Sequence, residues 1–274
     1  MNEFDNINGF LIDKGEKVFN PGNRSYKYGD GIFETIKVVE GKIQFWNDHY
    51  DRLKRGIEVL KLDDSNFSKD KWFQEIERVV YKNYYKYAKI RLSVYRDAPG
   101  LYTPNGNRIG FAVEGVRFDK GDFTFKPEGI VVGLYEEIKL SIDALSNAKT
   151  ASALPYVMAS IYKKEQGLDD VLLFNQEGNI AESANSNVFL VKDGKIFTPA
   201  LTQGCIAGVM RKNVLLHCHL HKIDVEERAI SLEEIKSADE IFLTNVIAGV
   251  QGVKSILEIE KQQILTHKIQ GFFQ

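Results

Sequence analysis

Residues 169–200, DDVLLFNQEGNIAESANSNVFLVKDGKIFTPA, decide the fold of this 274-residue chain. Four strand-like runs, DVLLFN, NIAESA, NVFLV and KIFTPA, are punctuated by the pairs Glu177-Gly178 and Asp193-Gly194, which suit hairpin reversal. The stretch therefore predicts an antiparallel meander. Glu182 lies within NIAESA, flanked by Ala181 and Ser183, in surroundings too apolar to leave a carboxylate on an open surface. Either it points outward, or it is buried with a cationic partner.

On the N-terminal side, Leu154, Val157, Met158, Ile161 and Tyr162 recur at i, i+3, i+4, i+7 and i+8 and predict an amphipathic helix over 151–166, closed by Gly167. Pro155 confines the start of that helix to its own turn. Lys149 ends the crossover NAKTAS just before it, among small residues that would let an amine approach a planar ligand. On position alone a solvated surface lysine is the default reading. On the C-terminal side, GCIAGVMRKNV is a Gly-spaced turn entering a helix over about 208–220, whose first backbone N–H groups would suit an anion. Ser231 with Glu234 reads as a capping box, and IFLTNVI is the final strand expected.

In the first half, residues 10–45 alternate like strands, with GIFETIKVV and KIQFW as a hairpin around Glu40-Gly41. Asn47 would cap a helix carrying Tyr50, Leu53, Ile57 and Leu60. A second helix over 68–85 would bury Trp72, Ile76, Val79 and Val80, and KIRLSVYR and IGFAVEGV return as strands around the loop DAPGLYTPNGN. The prolines around Tyr102 make residues 97–106 a candidate loop over a site. The charged, Gly- and Pro-punctuated RFDKGDFTFKPE divides the chain, giving residues 1–117 as a small α+β domain, 118–126 as linker and 127–274 as a second domain. The class is α+β with mostly antiparallel sheets.

Composition removes whole classes of function. With 36 Lys+Arg against 38 Asp+Glu the chain lacks the basic excess of a nucleic-acid or membrane-surface binder. The apolar runs are too short for a membrane helix, and two cysteines, Cys205 and Cys218, make no disulfide framework, so a cytoplasmic protein is expected. No GxxxxGK[ST], GxGxxG after a strand, HExxH or GxSxG occurs. His217 and His221 stand at helical spacing but lack a third ligand, so no metal is expected. What remains is a lysine, a carboxylate and a helix N-terminus, the set a pyridoxal 5'-phosphate site requires: the lysine forms the Schiff base, the carboxylate keeps the pyridine nitrogen protonated, and the helix start binds the phosphate.

The strings YGDGIFETIKVVEGKIQFWNDHYDRL, AKTASALPYV, DDVLLFNQEGNIAESANSNVFLVKDGKIFTPAL and GCIAGVMRK, in this order over about residues 24–250, resemble the class IV aminotransferases, a family of pyridoxal phosphate enzymes. The family includes branched-chain aminotransferases, D-amino acid aminotransferases and aminodeoxychorismate lyases. The resemblance implies fold type IV, with a small N-terminal α+β domain and a larger C-terminal β pseudo-barrel domain with helices, and a homodimer. It implies Lys149 as the Schiff-base lysine and Glu182 as the partner of the pyridine nitrogen. It further implies Arg52, Val209, Met210 and Asn245 as cofactor-binding positions, with Arg52 and the Val209 and Met210 N–H groups toward the phosphate. Tyr28, Phe33, Lys37, Arg91 and Arg96 are implied as substrate-pocket positions, with 33, 35 and 37 on one side of their strand.

Some positions depart from the branched-chain pattern. Leu154 stands where those enzymes supply a tyrosine to the cofactor, Tyr156 is displaced by two, and Val246 replaces a phosphate-contacting threonine. GCIAGVMR, Asn245 in LTNVIAGV and GLYTP lean toward the lyases, whereas YRDAPG is shorter than the arginine-rich glycine loop of many of them. The implied activity is transfer of an amino group between a small or branched amino acid and a 2-oxo acid, with 4-amino-4-deoxychorismate cleavage to 4-aminobenzoate and pyruvate as the alternative.

Overall fold

A computed structural model describes residues 3–18, 20–119 and 126–273. The chain divides into two compact units, Met1–Asp122 with Ala148–Ser152, and Phe123–Asn147 with Ala153–Gln274. The segment 148–152, assigned by the sequence reading to the second domain, thus groups with the first unit. Most of the expected linker, residues 120–125, lies outside the described residues.

The first unit is built on β1 (Phe4–Ile7), β2 (Phe10–Asp13), β3 (Gly31–Val39), β4 (Lys42–Ile43), β5 (Tyr87–Arg96) and β6 (Ile109–Arg117). These form one antiparallel sheet in the order β2-β1-β6-β5-β3-β4. Along β3 burial alternates, with Ile32, Glu34, Ile36 and Val38 inward and Phe33, Thr35 and Lys37 half-buried on the other side, as the strand period demands. The inward row packs against α2 (Trp46–Val59) through Leu53 and Ile57 and shares a core with Trp72, Ile76 and Val79 of α3 (Lys69–Lys82). Ser68 caps α3, accepting from the Lys71 N–H.

Two expectations in this unit are corrected. The strand KIQFW ends at Ile43, and the helix that follows starts at Trp46 from a left-handed Phe45 at φ 53°, so Asn47 lies inside it and is not its cap. Trp46 rests against Tyr50 and Phe73 at 6.0 and 5.7 Å between ring centres, and that packing fixes the helix start. A short helix α1 (Arg24–Tyr28) also interrupts the region read as strand. Asn23 accepts from the Ser25 and Tyr26 N–H groups and Gly29 closes the helix at φ 66°, so capping chemistry outweighs the alternation there.

The second unit carries β7 (Ile130–Leu140), α4 (Leu154–Glu165), β8 (Asp170–Asn175), β9 (Ile180–Ser183), β10 (Asn187–Lys192), β11 (Lys195–Pro199) and α5 (Val209–Leu220). Then follow β12 (Val225–Arg228), α6 (Leu232–Ser237), β13 (Glu240–Asn245), β14 (Gly249–Ile256), β15 (Ile259–Glu260) and α7 (Ile264–Gln270). Its nine-stranded sheet runs β12-β11-β10-β13-β14-β7-β8-β9, with β15 on β14. The hairpins β8–β9 and β10–β11 form as read, but β13, β14 and β7 stand between them, so they are not one continuous meander. Strand β7 is parallel to both neighbours, and β8 is buried along its whole length, the pattern of a strand covered on both faces.

The capping box of Ser231 and Glu234 starts α6, and Pro155 stands in the first turn of α4 as expected. The apolar row of α4 is split: Tyr162 packs against a buried cluster with Tyr135, while Leu154 is 71% and Val157 49% exposed. The C-terminal β14, β15 and α7 extend beyond the last strand expected. His217 and His221 pack against Phe272, at 5.4 and 4.2 Å between ring centres. Among the described residues no helix is long and apolar enough to cross a membrane.

Candidate active site

In the first unit, Lys149 lies on a segment annealed to the start of β3. Its carbonyl accepts from the Phe33 N–H at 2.9 Å, and the Ala151 N–H donates to the Gly31 carbonyl at 2.8 Å. Backbone pairing thus fixes the lysine Cα, and the ammonium lies 4.6 Å from the centre of the Phe33 ring. The guanidinium of Arg91 stacks on the same ring at 3.7 Å, with its Nε donating to Ser93 Oγ at 3.1 Å. One aromatic ring therefore organises two cations, each attracted by its quadrupole. Arg91 is paired in register with Thr35, so Phe33, Thr35, Lys37 and Arg91 share the open side of the sheet. Lys37 is half-buried, and burial lowers its proton affinity.

Arg96 does not join this group. It alternates onto the inward side of β5, where Nε donates to Asp30 Oδ2 at 3.0 Å, Nη1 to Asn107 Oδ1 at 2.6 Å and Nη2 to the Leu60 carbonyl at 2.6 Å. Strand parity thus places it on the opposite side of β5 from Arg91. Tyr28, at the end of α1, lies under the Arg24 guanidinium at 5.0 Å and meets the Tyr102 ring at 5.3 Å.

Arg52 is buried, not an exposed helix arginine. It grips Glu34 with both ends of the carboxylate, Nε to Oε1 at 2.8 Å and Nη2 to Oε2 at 2.5 Å, and His49 Nδ1 lies 2.7 Å from Oε2. Burial pushes the Glu34 carboxyl up, but the Arg52 charge and hydrogen bonds, aided by His49, outweigh it and bring it to about 2. A carboxyl depressed on folding stabilises the fold above its unfolded pKa, near 4.5, and that contribution is lost as the pH falls toward 2. Its size is about 3 kcal/mol. Glu34→Gln leaves Arg52 buried without a counter-charge, and urea unfolding is expected to show a loss of about 3–5 kcal/mol. Glu34 and His49 are the residues the motif reading missed. The signal was available, since Glu34 falls on the inward phase of β3, where an acid requires a cation.

In the second unit, Glu182 is 3% exposed on β9. Its Oε1 accepts from the Tyr156 hydroxyl at 2.6 Å, while Oε2 accepts from the Ile206 N–H at 3.1 Å and from Asn187 Nδ2 at 3.3 Å. Hydrogen bonds donated to a carboxylate favour its charged form. Burial and then the Glu182 charge raise the Tyr156 phenol far above its ordinary range, and the same causes push the Cys205 thiol up to about 12. Cys205 is thus an inert thiol at neutral pH. Tyr156 belongs beside Glu182 although its spacing from Lys149 is two residues longer than in the branched-chain pattern. Pro155, by placing the start of α4, was the clue to its position.

The turn into α5 is set by Asn187. Its Nδ2 also donates to the Ile206 carbonyl at 2.9 Å, and a Cβ on Gly208 would overlap its Oδ1, so any larger residue at the helix N-cap would displace the Asn187 amide. With no side chain there, no side-chain cap covers the first turn, which contains Val209 and Met210. Asn245 is committed to a turn. Its Oδ1 accepts from the Ile247 and Ala248 N–H groups at 3.0 and 2.8 Å, and its Nδ2 donates to Ser186 Oγ at 2.8 Å. It shapes the β13–β14 connection, with both ends of its amide used.

The sequence model of the family described as amino-transferase class IV matches residues 31–256, which contain both constellations. The chain belongs to this family. An aminodeoxychorismate lyase of Vibrio harveyi is 28% identical over 91% of this chain and 93% of its own length. A D-alanine aminotransferase of Bacillus licheniformis is 26% identical over 91% of this chain and 87% of its own. Among solved structures, the branched-chain aminotransferase of Thermoproteus uzoniensis superimposes with a TM-score of 0.89, at 24% identity, over 100% of this chain and 94% of that one. The fold is therefore the α+β fold type IV of the family, whose cofactor is pyridoxal 5'-phosphate. The glycine-capped α5 turn, the buried Glu182 and the backbone-fixed Lys149 are groups of the kind that cofactor requires: an anion cradle, a carboxylate and an amine.

Proposed function

We propose that the protein is a pyridoxal-phosphate-dependent aminotransferase that moves an amino group between a small or branched amino acid and a 2-oxo acid. The observation that carries this reading is Glu182, buried yet supplied with three hydrogen-bond donors, the setting in which a carboxylate stays ionised and can hold a pyridine nitrogen protonated. When bound, the cofactor supplies an electron sink for the carbon next to the transferred amine.

The chain's own residues do the rest. Lys149 would hold the cofactor through Nζ, and its amine would take up the substrate α-proton as general base and return it as general acid. Its fixed backbone limits the positions Nζ must search, which lowers the entropic part of the barrier. The first turn of α5 would receive a phosphate, and Arg52, braced by Glu34, is the position to which the family resemblance gives a phosphate-side role. Arg91 holds the substrate carboxylate, with Phe33, Lys37 and Tyr28 lining the pocket. Gly208→Ala is expected to weaken cofactor affinity by about tenfold or more, because Asn187 must shift and the α5 turn with it. Titration of the apoprotein with pyridoxal phosphate, followed by absorbance, measures this. A homodimer belongs to the same proposal and rests on the family resemblance.

A second reading, cleavage of 4-amino-4-deoxychorismate, is favoured by the similarity to the Vibrio harveyi lyase over nearly the whole of both chains. Absorbance spectra of the cofactor-loaded protein, before and after single L- and D-amino acids without any oxo acid, separate the two. Conversion to the pyridoxamine spectrum by one of them supports transamination and names the donor. An unchanged spectrum with every amino acid, together with 4-aminobenzoate release from aminodeoxychorismate, replaces it with the lyase.

A further inference from the structure

The segment between β5 and β6 is tied down at its start, its tip and its end, and the ties converge on Asp30. Arg96, at its start, donates to Asp30 Oδ2 and to Asn107 at its end. Arg24, only 4% exposed, donates Nε to the same Asp30 oxygen at 2.7 Å and Nη1 to the Gly100 and Leu101 carbonyls at 3.0 and 2.5 Å. The tip bends at Gly100, whose φ of 121° and approach to the Thr103 carbonyl exclude a side chain. Its carbonyls are thus turned inward to Arg24 while the side chains of Leu101 and Tyr102 remain 76% and 88% exposed.

Burying two guanidinium groups around one carboxylate carries a desolvation cost that an ordinary surface loop does not incur. The other side of the same turn shows what the order achieves. Asp30 lies between Gly29 and Gly31, and Gly31 accepts from Ala151 in the segment that carries Lys149. A Cβ on Gly29 would stand 3.2 Å from the Ser152 backbone, so this contact too is close. Residues 28–31 therefore join the tethered loop to the lysine segment within one unit, and Tyr28, in contact with both Arg24 and the Tyr102 ring, stands at the junction.

We propose that Arg24 and Asp30 are positioning residues that hold Tyr28 and residues 97–107 as a fixed wall of the substrate pocket, setting affinity for the substrate's side group without a part in cofactor attachment. The exposed tip offers Leu101 and Tyr102 beside Tyr28, and the carboxylate within residues 97–107, Asp97, is paired with Arg108, so the wall fits an apolar or aromatic group. This rests on the roles proposed above for Lys149 and Tyr28. The test is Arg24→Met in the cofactor-loaded full chain, with Asp30→Asn as a second variant should the first not fold. Amide hydrogen exchange over residues 97–107 is expected to accelerate by about tenfold or more. With whichever of L-leucine, D-alanine or aminodeoxychorismate the unmodified protein converts, KM is expected to rise about tenfold while kcat stays within about twofold and the absorbance of the lysine-bound cofactor is unchanged. Unchanged exchange, faster exchange with an unchanged KM, or loss of the cofactor band overturns the inference. An unmodified protein that converts no L- or D-amino acid overturns the proposed function, and that failure is distinguishable because it precedes any substitution.

Discussion

Lys149→Ala is expected to abolish covalent attachment of pyridoxal phosphate and to reduce turnover by about a thousandfold or more, while the fold remains intact. The fold is expected to survive because the lysine segment is held through its backbone, by the Phe33 N–H to the Lys149 carbonyl and the Ala151 N–H to the Gly31 carbonyl, and alanine keeps both bonds. The side chain's contact with the Phe33 ring contributes about 0.5–1 kcal/mol. Thermal unfolding should therefore shift by a few degrees at most. The absorbance band of the lysine-bound cofactor should vanish, and dialysis should remove the cofactor. A variant that retains activity within tenfold of the unmodified protein would show that another amine does the chemistry.

Glu182→Gln should show the second largest effect and should separate electronics from binding. Glutamine can keep a carbonyl oxygen toward the Ile206 N–H and Asn187, so the β9 environment is largely preserved, but the Tyr156 hydroxyl loses its charged acceptor. In the proposed role, Glu182 would hold the pyridine nitrogen protonated through its charge, which glutamine lacks. We expect turnover to fall by about a hundredfold to a thousandfold and cofactor affinity by less than about tenfold. The charge on Glu182 also raises the Tyr156 phenol, after burial, so the Tyr156 hydroxyl should titrate at lower pH in this variant. Equal losses in affinity and turnover would assign Glu182 a purely structural part.

The elements that carry these residues differed in how far they could be read from sequence. The hairpins β8–β9 and β10–β11 were legible because a turn pair with a positive-φ glycine, Gly178 or Gly194, sits between apolar runs. The order of those hairpins in the sheet was not, since β13, β14 and β7 enter between them through pairings remote in sequence. Helix α1 was missed because Asn23 and Gly29 cap a segment too short to show a helical period. Helix α4 was legible from its period, yet that period did not show that Leu154 and Val157 are exposed. Periodicity reports which residues share a side and not what covers that side.

The candidate site was legible in the same uneven way. Lys149, Glu182 and the Gly208 turn stand in short motifs and could be named from them. Tyr156 and the Glu34–Arg52–His49 cluster depend on side chains that meet only after the chain folds. Arg96 and Asn245 were named from motif position alone. Strand parity turns the first inward to Asp30, and a turn uses both ends of the second.

The measurement closest to the central claim is reduction of the cofactor-loaded protein with borohydride, proteolytic digestion and mass spectrometry of the peptides. The account predicts a phosphopyridoxyl group on Lys149, in stoichiometric amount, and on no other lysine. The same group on a different lysine, or a protein that takes up no cofactor at all, would contradict it.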